Sequence, residues 1–522
     1  MGACLALTAC GGGSARNPHA LPRSSRAVGG SPPTARSASV RQPDIVFVLT
    51  DDLSTNLVRF MPHVLAMERR GLTFTNYFVA DSLCCPSRAS IFTGNFPHDT
   101  HVFGNFGSTG GFEEFYRRGE ERHTFAVALQ RIGYTTALMG KYLNGYMQSA
   151  GHVADGTTTN VPATYVPPGW NQWDVAGSGY GEFNYTLNEN GVVRRFGHRP
   201  SDYLTDVLAR KGAAFIDATA HTHKPFFLEL ATFAPHSPYV PAPADEHDFP
   251  GLKAPRPPSF DVLPTHAPRW LAPHRPLTRR QLAKIDWAFR RRAQSVQAVD
   301  RMIGEIEQAL AANGLSDDTY LVFSSDNGLH TGEYRLMPGK LTAFDTDIHV
   351  PLVVTGPGIP QGSTTDAMAE NIDLAKTFAA IGGTGLAGDG HSLLPLLTGR
   401  SPLEWRNVVL IEHRGSPLSV LDPDYQQPAS GSPTTYEAMR TDSFLYVEYA
   451  DGEREFYDLR TDPFELHDIA GLLSRRQLAR LHADLRGLER CHGGKSCWAA
   501  MHIKTGAPSA GAPTLSTLIG AT

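Results

Sequence analysis

The sequence predicts an α/β fold, a large mixed and mostly parallel sheet flanked by helices, followed by a small C-terminal α+β subdomain on a short antiparallel sheet. Three observations carry this. In "PDIVFVLTDD" the apolar, β-branched run 45–49 stops at two aspartates, as a strand buried on both faces does. "TYLVFSSDNG" repeats that pattern at 319–328. Between the two, strand and helix patterns alternate, which argues for parallel strands joined by helical crossovers.

The elements follow in chain order. Residues 1–42 begin with a short apolar run ending in Leu7-Thr8-Ala9-Cys10, then turn glycine-rich and Ser/Pro/Arg-rich. This resembles a bacterial lipoprotein signal and tether, which implies lipidation of Cys10 and export to the cell surface, the periplasm or the medium. From 43 to 400 the main α/β domain is expected, with helices at 123–133, 202–220 and 291–314 and strands at 135–140, 226–232 and 350–356. The stretch 237–278 is rich in proline and histidine without a period, and reads as a long loop over the site edge. From 401 to 503 the short strands "NVVLIEH", "SFLYVEYA" and "EREFYDL" and a helix at 475–489 form the subdomain, and 504–522 reads as a disordered tail.

Composition excludes some functions. A net charge of -5 with 19% charged residues lacks the basic excess that nucleic-acid binding leaves. No run of 18 apolar residues suggests a transmembrane helix, so membrane contact is expected only through Cys10. Export implies an oxidising compartment, where Cys491 and Cys497 of "CHGGKSC" form a local disulfide. A zinc reading of that pair has only His492 beside it.

Strand ends collect ligands in open α/β sheets, which places Asp51, Asp52, Asp326 and Asn327 along one edge. These are hard oxygen donors, suited to Ca²⁺ or Mg²⁺ rather than to zinc or copper. Cys84-Cys85-Pro86-Ser87-Arg88 adds a cysteine just ahead of a helix start, where Pro86 fits the first turn and backbone N–H groups favour negative charge.

With those residues in view, the chain resembles a type I sulfatase, a formylglycine-dependent member of the alkaline phosphatase superfamily. The signature Cys-x-Pro-Ser-Arg with a downstream Thr-Gly appears as Cys84 to Arg88, then Thr93 and Gly94. Gly133-Tyr134-Thr135-Thr136 with Gly140-Lys141 matches a second signature. "APHSPY" (234–239), "SSDNG" (324–328), Lys340, "DIHVP" (347–351), "DGHSLLPLL" (389–397) and "FYDLRTDPFE" (456–465) extend the match over about 44–500.

The resemblance implies that Cys84 is oxidised to Cα-formylglycine by a formylglycine-generating enzyme, that residue 84 then joins the metal ligands, and that the metal is one Ca²⁺, with Mg²⁺ as the alternative. It further implies that Arg88, Lys141 and Lys340 neutralise charge and that His236 faces the leaving-group oxygen. One departure matters: many arylsulfatases continue Gly-Lys with Trp-His, whereas here Tyr142 and Leu143 follow. The usual base is therefore missing, and His98, His101 and His330 are its candidate replacements. His101, His330 and Asn144 are also candidate substrate contacts.

"GKYLNGY", "VPPGWNQWD" and "FNYTLNENG" are similar to the N-acetylglucosamine-6-sulfatase and extracellular endosulfatase branch, which implies a sulfated sugar as substrate. A broad arylsulfatase, and a phosphodiesterase or phosphonate monoester hydrolase on the same fold, are the competing activities. A redox role for the Cys84-Cys85 pair and a non-catalytic carbohydrate-binding role are further readings.

Overall fold

Strand β1, Asp44–Thr50, is buried along its whole length. Its side chains divide by parity: Ile45, Phe47 and Leu49 enter one hydrophobic core, Val46 and Val48 the other. A strand covered on both faces has no solvent-facing positions, which is why the apolar run 45–49 is continuous. Each such side chain contributes roughly 1.5–3 kcal/mol on burial.

The computed structural model describes residues 42–147, 161–400, 402–415, 422–504 and 506. Cys10, the rest of the leader and the tail beyond 506 lie outside the described residues.

Beside β1, the large sheet contains β2 (Leu72–Phe74), β4 (Thr135–Lys141), β5 (Gln172–Ala176), β6 (Thr186–Glu189), β7 (Val192–Arg195), β8 (Phe226–Ala231), β9 (Thr319–Ser325), β10 (Leu352–Thr355) and β11 (Ser363–Thr365). Between them β3 (Tyr77–Phe78) and β12 (Ala369–Glu370) pair as a separate ribbon. Across the large sheet the order is β11-β2-β10-β9-β1-β8-β4-β5-β6-β7. The central four, β9, β1, β8 and β4, are mutually parallel, while β10, β6 and β7 run antiparallel to their neighbours. The sheet is therefore mixed, as expected, with its parallel part at the centre.

Helices Cys84–Thr93 and Asp373–Ile381 pack on one face, Leu204–Ala220 and Arg279–Ala312 on the other. The last of these starts well before the 291–314 expected, because Thr278 and Gln281 form a capping box in front of it. No helix or strand occupies 237–278.

The C-terminal strands β13 (Val408–His413), β14 (Tyr436–Thr441), β15 (Phe444–Tyr449) and β16 (Arg454–Asp458) form an antiparallel sheet in sequential order. Val409, Ile411, Leu445 and Val447 of one face join the main core; Val408, Leu410 and Tyr446 of the other pack with Leu481, Leu485 and Leu488 of helix Arg475–Glu489. Cys491 and Cys497 are disulfide-bonded beside that helix. Among the described residues no helix is long and apolar enough to cross a membrane.

Candidate active site

The four central parallel strands end on one edge and deliver the polar groups there. Asp51 and Asp52 follow β1, Asp326 and Asn327 follow β9, Lys141 closes β4, and His236 lies five residues past β8. Gly140 precedes Lys141 at φ +107°, and a Cβ there would fall 1.9 Å from the Ala231 carbonyl oxygen. Only glycine lets β4 lie this close to β8 just before the lysine.

Cys84 opens helix Cys84–Thr93, in which every residue is buried. Its Sγ donates to Asp51 Oδ1 at 3.1 Å and lies 2.9 Å from Lys340 Nζ. Burial and the carboxylates of Asp326, Asp424 and Asp51 push this thiol well above its usual pKa. A thiolate is disfavoured here, so the position is badly built for cysteine nucleophilicity. Cys85 points elsewhere: its buried Sγ accepts the Asn144 backbone N–H at 3.0 Å, and its pKa is pushed up to about 12, chiefly by burial. Both cysteines are free, and their different partners give no support to a redox pair.

Lys141, Lys340 and Arg88 each pair with a carboxylate. Lys141 Nζ meets Asp51 Oδ2 at 2.5 Å; Lys340 Nζ lies 2.7 Å from both Asp52 Oδ1 and Asp424 Oδ1; Arg88 Nε donates to Asp326 Oδ2 at 2.8 Å. Burial opposes the charge on both lysines, but the adjacent carboxylates outweigh it and hold them well above the usual value. Arg88 also has a buried Nη2 without a partner.

His236 Nδ1 lies 2.7 Å from the Ser237 carbonyl and Nε2 2.6 Å from Asp424 Oδ1. A carbonyl at one nitrogen and a carboxylate at the other require a proton on each, so these partners assign the imidazolium form. Burial works against that charge, but Asp52, Asp51 and Asp424 raise the pKa to about 9.

A divalent cation fits the donor set. Ligand atoms of Asp51, Asp52, Cys84 and His236 lie within 4.8 Å of one another, all buried. Asn327 donates through Nδ2 to Asp52 Oδ1 at 2.7 Å, which leaves its buried Oδ1 without a partner among the described residues beside the cluster. Asp326 is more committed: Oδ1 accepts the Asp52 N–H at 3.1 Å and Oδ2 accepts Arg88.

The structure separates the remaining candidates. Asn144 lines a cavity with Lys141 and Tyr180, its side-chain amide buried without partners among the described residues. His330 lines neither cavity beside the cluster, with Nδ1 3.0 Å from both Asp347 oxygens and Nε2 2.9 Å from the Ser430 carbonyl. His101 is also not at the site, since it caps the short helix Pro97–Thr100 in the left-handed region and lines neither cavity beside the cluster. His98 is held away by Glu412 at 2.9 Å and by the Cys491 carbonyl at 2.8 Å.

Sequence reasoning missed Asp424. Its carboxylate joins Lys340 to His236, and its other oxygen accepts Asn105 Nδ2 at 2.6 Å. Lys340 and His236 hold it well below the usual carboxylate range in spite of burial. The only signal was two acids around a proline in "LDPDYQQP".

A family model described as Sulfatase matches residues 43–384, and one described as N-sulphoglucosamine sulphohydrolase, C-terminal, matches 332–490. The N-acetylglucosamine-6-sulfatase of Homo sapiens is 35% identical over 486 residues, covering 88% of this chain and 86% of the relative. A solved structure described as a complex with its substrate D-glucosamine-2-N,6-O-disulfate superposes with a TM-score of 0.69 at 23% identity, covering 86% of this chain and 97% of that one. The phosphonate monoester hydrolase of Agrobacterium radiobacter gives a TM-score of 0.63 at 21% identity over 86% and 96%. Both structures share the fold.

Proposed function

Because the chain belongs to the sulfatase family, and is thus a sulfuric ester hydrolase, we propose that it removes sulfate from a sulfated sugar of the N-acetylglucosamine-6-sulfate type. One observation carries this: Cys84 Sγ sits at a helix head within reach of both Asp51 and Lys340, inside a buried cluster that a divalent cation fits. The 35% identity to an N-acetylglucosamine-6-sulfatase supports the sugar.

In this reading a formylglycine-generating enzyme oxidises Cys84, and the hydrated aldehyde supplies two hydroxyls, one to attack sulfur and one to expel sulfate as the carbonyl re-forms. Asp51, Asp52, Asn327, Asp326 and residue 84 would hold Ca²⁺, with Mg²⁺ as the alternative, and a divalent ion there would supply Lewis acidity toward a sulfate oxygen and the attacking hydroxyl. Lys141, Lys340 and Arg88 offset the charge of the nucleophile and the sulfuryl group from fixed positions, without reorganisation during the reaction. His236, held as an imidazolium by Ser237 and Asp424, carries its Nε2 proton on the Asp424 hydrogen bond and passes it to the departing oxygen when substrate takes that place. Asn144 faces the substrate beside Lys141.

The catalytic part is placed in 43–400 and the subdomain in 401–503. Export, with a lipid anchor at Cys10, is part of the same reading, and the Cys491–Cys497 disulfide supports an oxidising compartment.

Turnover of N-acetylglucosamine 6-sulfate, 4-nitrophenyl sulfate and an aryl phosphodiester by one preparation tests the assignment. The sugar sulfate is expected to be preferred; preference for the phosphodiester would overturn it, and preference for the aryl ester would leave the arylsulfatase alternative.

A further inference from the structure

Helix Cys84–Thr93 begins after Leu83, whose side chain offers its first turn no acceptor. The N–H groups of a first turn have no partner within their own helix. Here one of them is met by a later segment: Cys85 N–H donates to Asn105 Oδ1 at 3.1 Å. Asn105 thus does for the helix head that carries residue 84 what a local Ser, Thr, Asp or Asn usually does.

The other end of the amide faces two acids. Nδ2 donates to Asp424 Oδ2 at 2.6 Å and to Asp422 Oδ1 at 3.2 Å. A carbonyl oxygen would repel both carboxylates, so these partners fix which end of the amide is which. Asn105 is 1% exposed and lines neither cavity beside the cluster. Its backbone is held as firmly: Gly111, at φ +61°, packs so close that a Cβ there would fall 2.1 Å from the Asn105 carbonyl oxygen.

Asn105 and Asp424 lie 319 positions apart, so the amide ties the nucleophile's helix to a segment from the far end of the chain. Lys340 also spans the two, with Nζ 2.9 Å from Cys84 Sγ and 2.7 Å from Asp424 Oδ1. Asn105 differs in being neutral and in gripping the backbone of the helix head. We propose that Asn105 is a positioning residue of the reaction, holding the head of helix Cys84–Thr93 in register with Asp424 and so setting where the His236 proton stands relative to the attacking group at residue 84. The inference rests on the sulfated-sugar reading, with His236 as its acid, and extends it by naming what keeps the two ends of the reaction aligned. Misplacing a reacting group by about 1 Å can cost on the order of a hundredfold in rate.

The test compares wild type, Asn105→Asp, Asn105→Ala, Asp424→Asn and the double variant Asn105→Asp/Asp424→Asn on N-acetylglucosamine 6-sulfate and 4-nitrophenyl sulfate. Asn105→Asp keeps the acceptor for Cys85 and removes the donors to Asp424. It is expected to lower kcat for the sugar sulfate about tenfold with KM unchanged, and to leave the aryl ester within about twofold, since nitrophenolate departs without a proton. Asn105→Ala should slow both substrates, because it also uncaps the helix head. The double variant exchanges donor and acceptor, and is expected to fall no further than Asp424→Asn alone. The ratio of two substrates in one preparation does not depend on the folded fraction, so a poorly folding variant still reports. Asn105 variants that keep the wild-type sugar-to-aryl ratio, or a double variant whose losses multiply, would overturn this inference and leave the sulfated-sugar reading standing. A wild type that cleaves only the aryl sulfate would overturn that reading and this inference with it.

Discussion

His236 Nε2 lies 2.6 Å from Asp424 Oδ1, and that same oxygen lies 2.7 Å from Lys340 Nζ. One carboxylate thus holds the proposed leaving-group acid and a site cation in register. Asp424→Asn keeps the shape but removes the charge that favours the imidazolium. Since general acids contribute roughly 10²–10⁴ in rate, kcat for the sugar sulfate should fall about 10–100-fold. The fall should be much smaller for 4-nitrophenyl sulfate, whose leaving group departs without a proton. Equal losses on the two substrates in steady-state kinetics would remove Asp424 from the acid's support.

Cys84 should be absent as cysteine from active enzyme. Peptide mass spectrometry across residues 81–94 is expected to find the aldehyde form, with activity proportional to its fraction. Cys84→Ala should fold and bind product but turn over nothing. Full activity in a preparation with Cys84 wholly unmodified would end the formylglycine mechanism.

Calcium should stabilise the folded protein, because the donor cluster exists only when β1 and β9 are paired. At a hundredfold excess over Kd the linkage is worth about 2.7 kcal/mol. Thermal unfolding in a Ca²⁺ series should show a rising Tm in wild type and a flattened response in Asn327→Ala, which loses an uncharged oxygen donor. An identical rise in both proteins would exclude Asn327 as a ligand.

Glu229 lies in the centre of β8, fully buried, with neither carboxylate oxygen partnered among the described residues. Burial raises its pKa to about 8, against a smaller opposing pull from Arg88. Folding therefore takes up a proton, and the stability of the neutral acid, complete below about pH 4.5, is lost as the pH rises through about 8. Glu229→Gln keeps the neutral shape at every pH. Urea unfolding should show wild type losing ground to this variant between those two values, and parallel stability curves would refute the buried neutral carboxyl.

The central strands were legible because burial on both faces leaves an unbroken apolar run, and Asp51, Asp52, Asp326 and Asn327 were legible as their polar ends. The edge strands were not: β7 is exposed at all four positions, so Val192–Arg195 carries no burial pattern to read. The early start of helix Arg279–Ala312 was signalled by Thr278 and Gln281, but the basic stretch after them masks the apolar stripe. Asp424 was out of reach for another reason. It meets His236 across 188 positions, from a segment without a period, and only the folded chain brings them together. His98, His101 and His330 show the converse, since residue type alone cannot tell a ring that lines a cavity at the site, as His236 does, from one that lines neither.

The complete burial of Cys84 also fixes an order of events in the life of the chain. With helix Cys84–Thr93 sealed against the sheet, no modifying enzyme can draw this side chain into its own active site once folding is done. On the proposed formylglycine mechanism, maturation then belongs to the unfolded polypeptide, and the fraction of active molecules is set by a race between modification and collapse. Slower folding or a higher supply of the modifying enzyme would raise specific activity, whereas treating purified, folded protein would not.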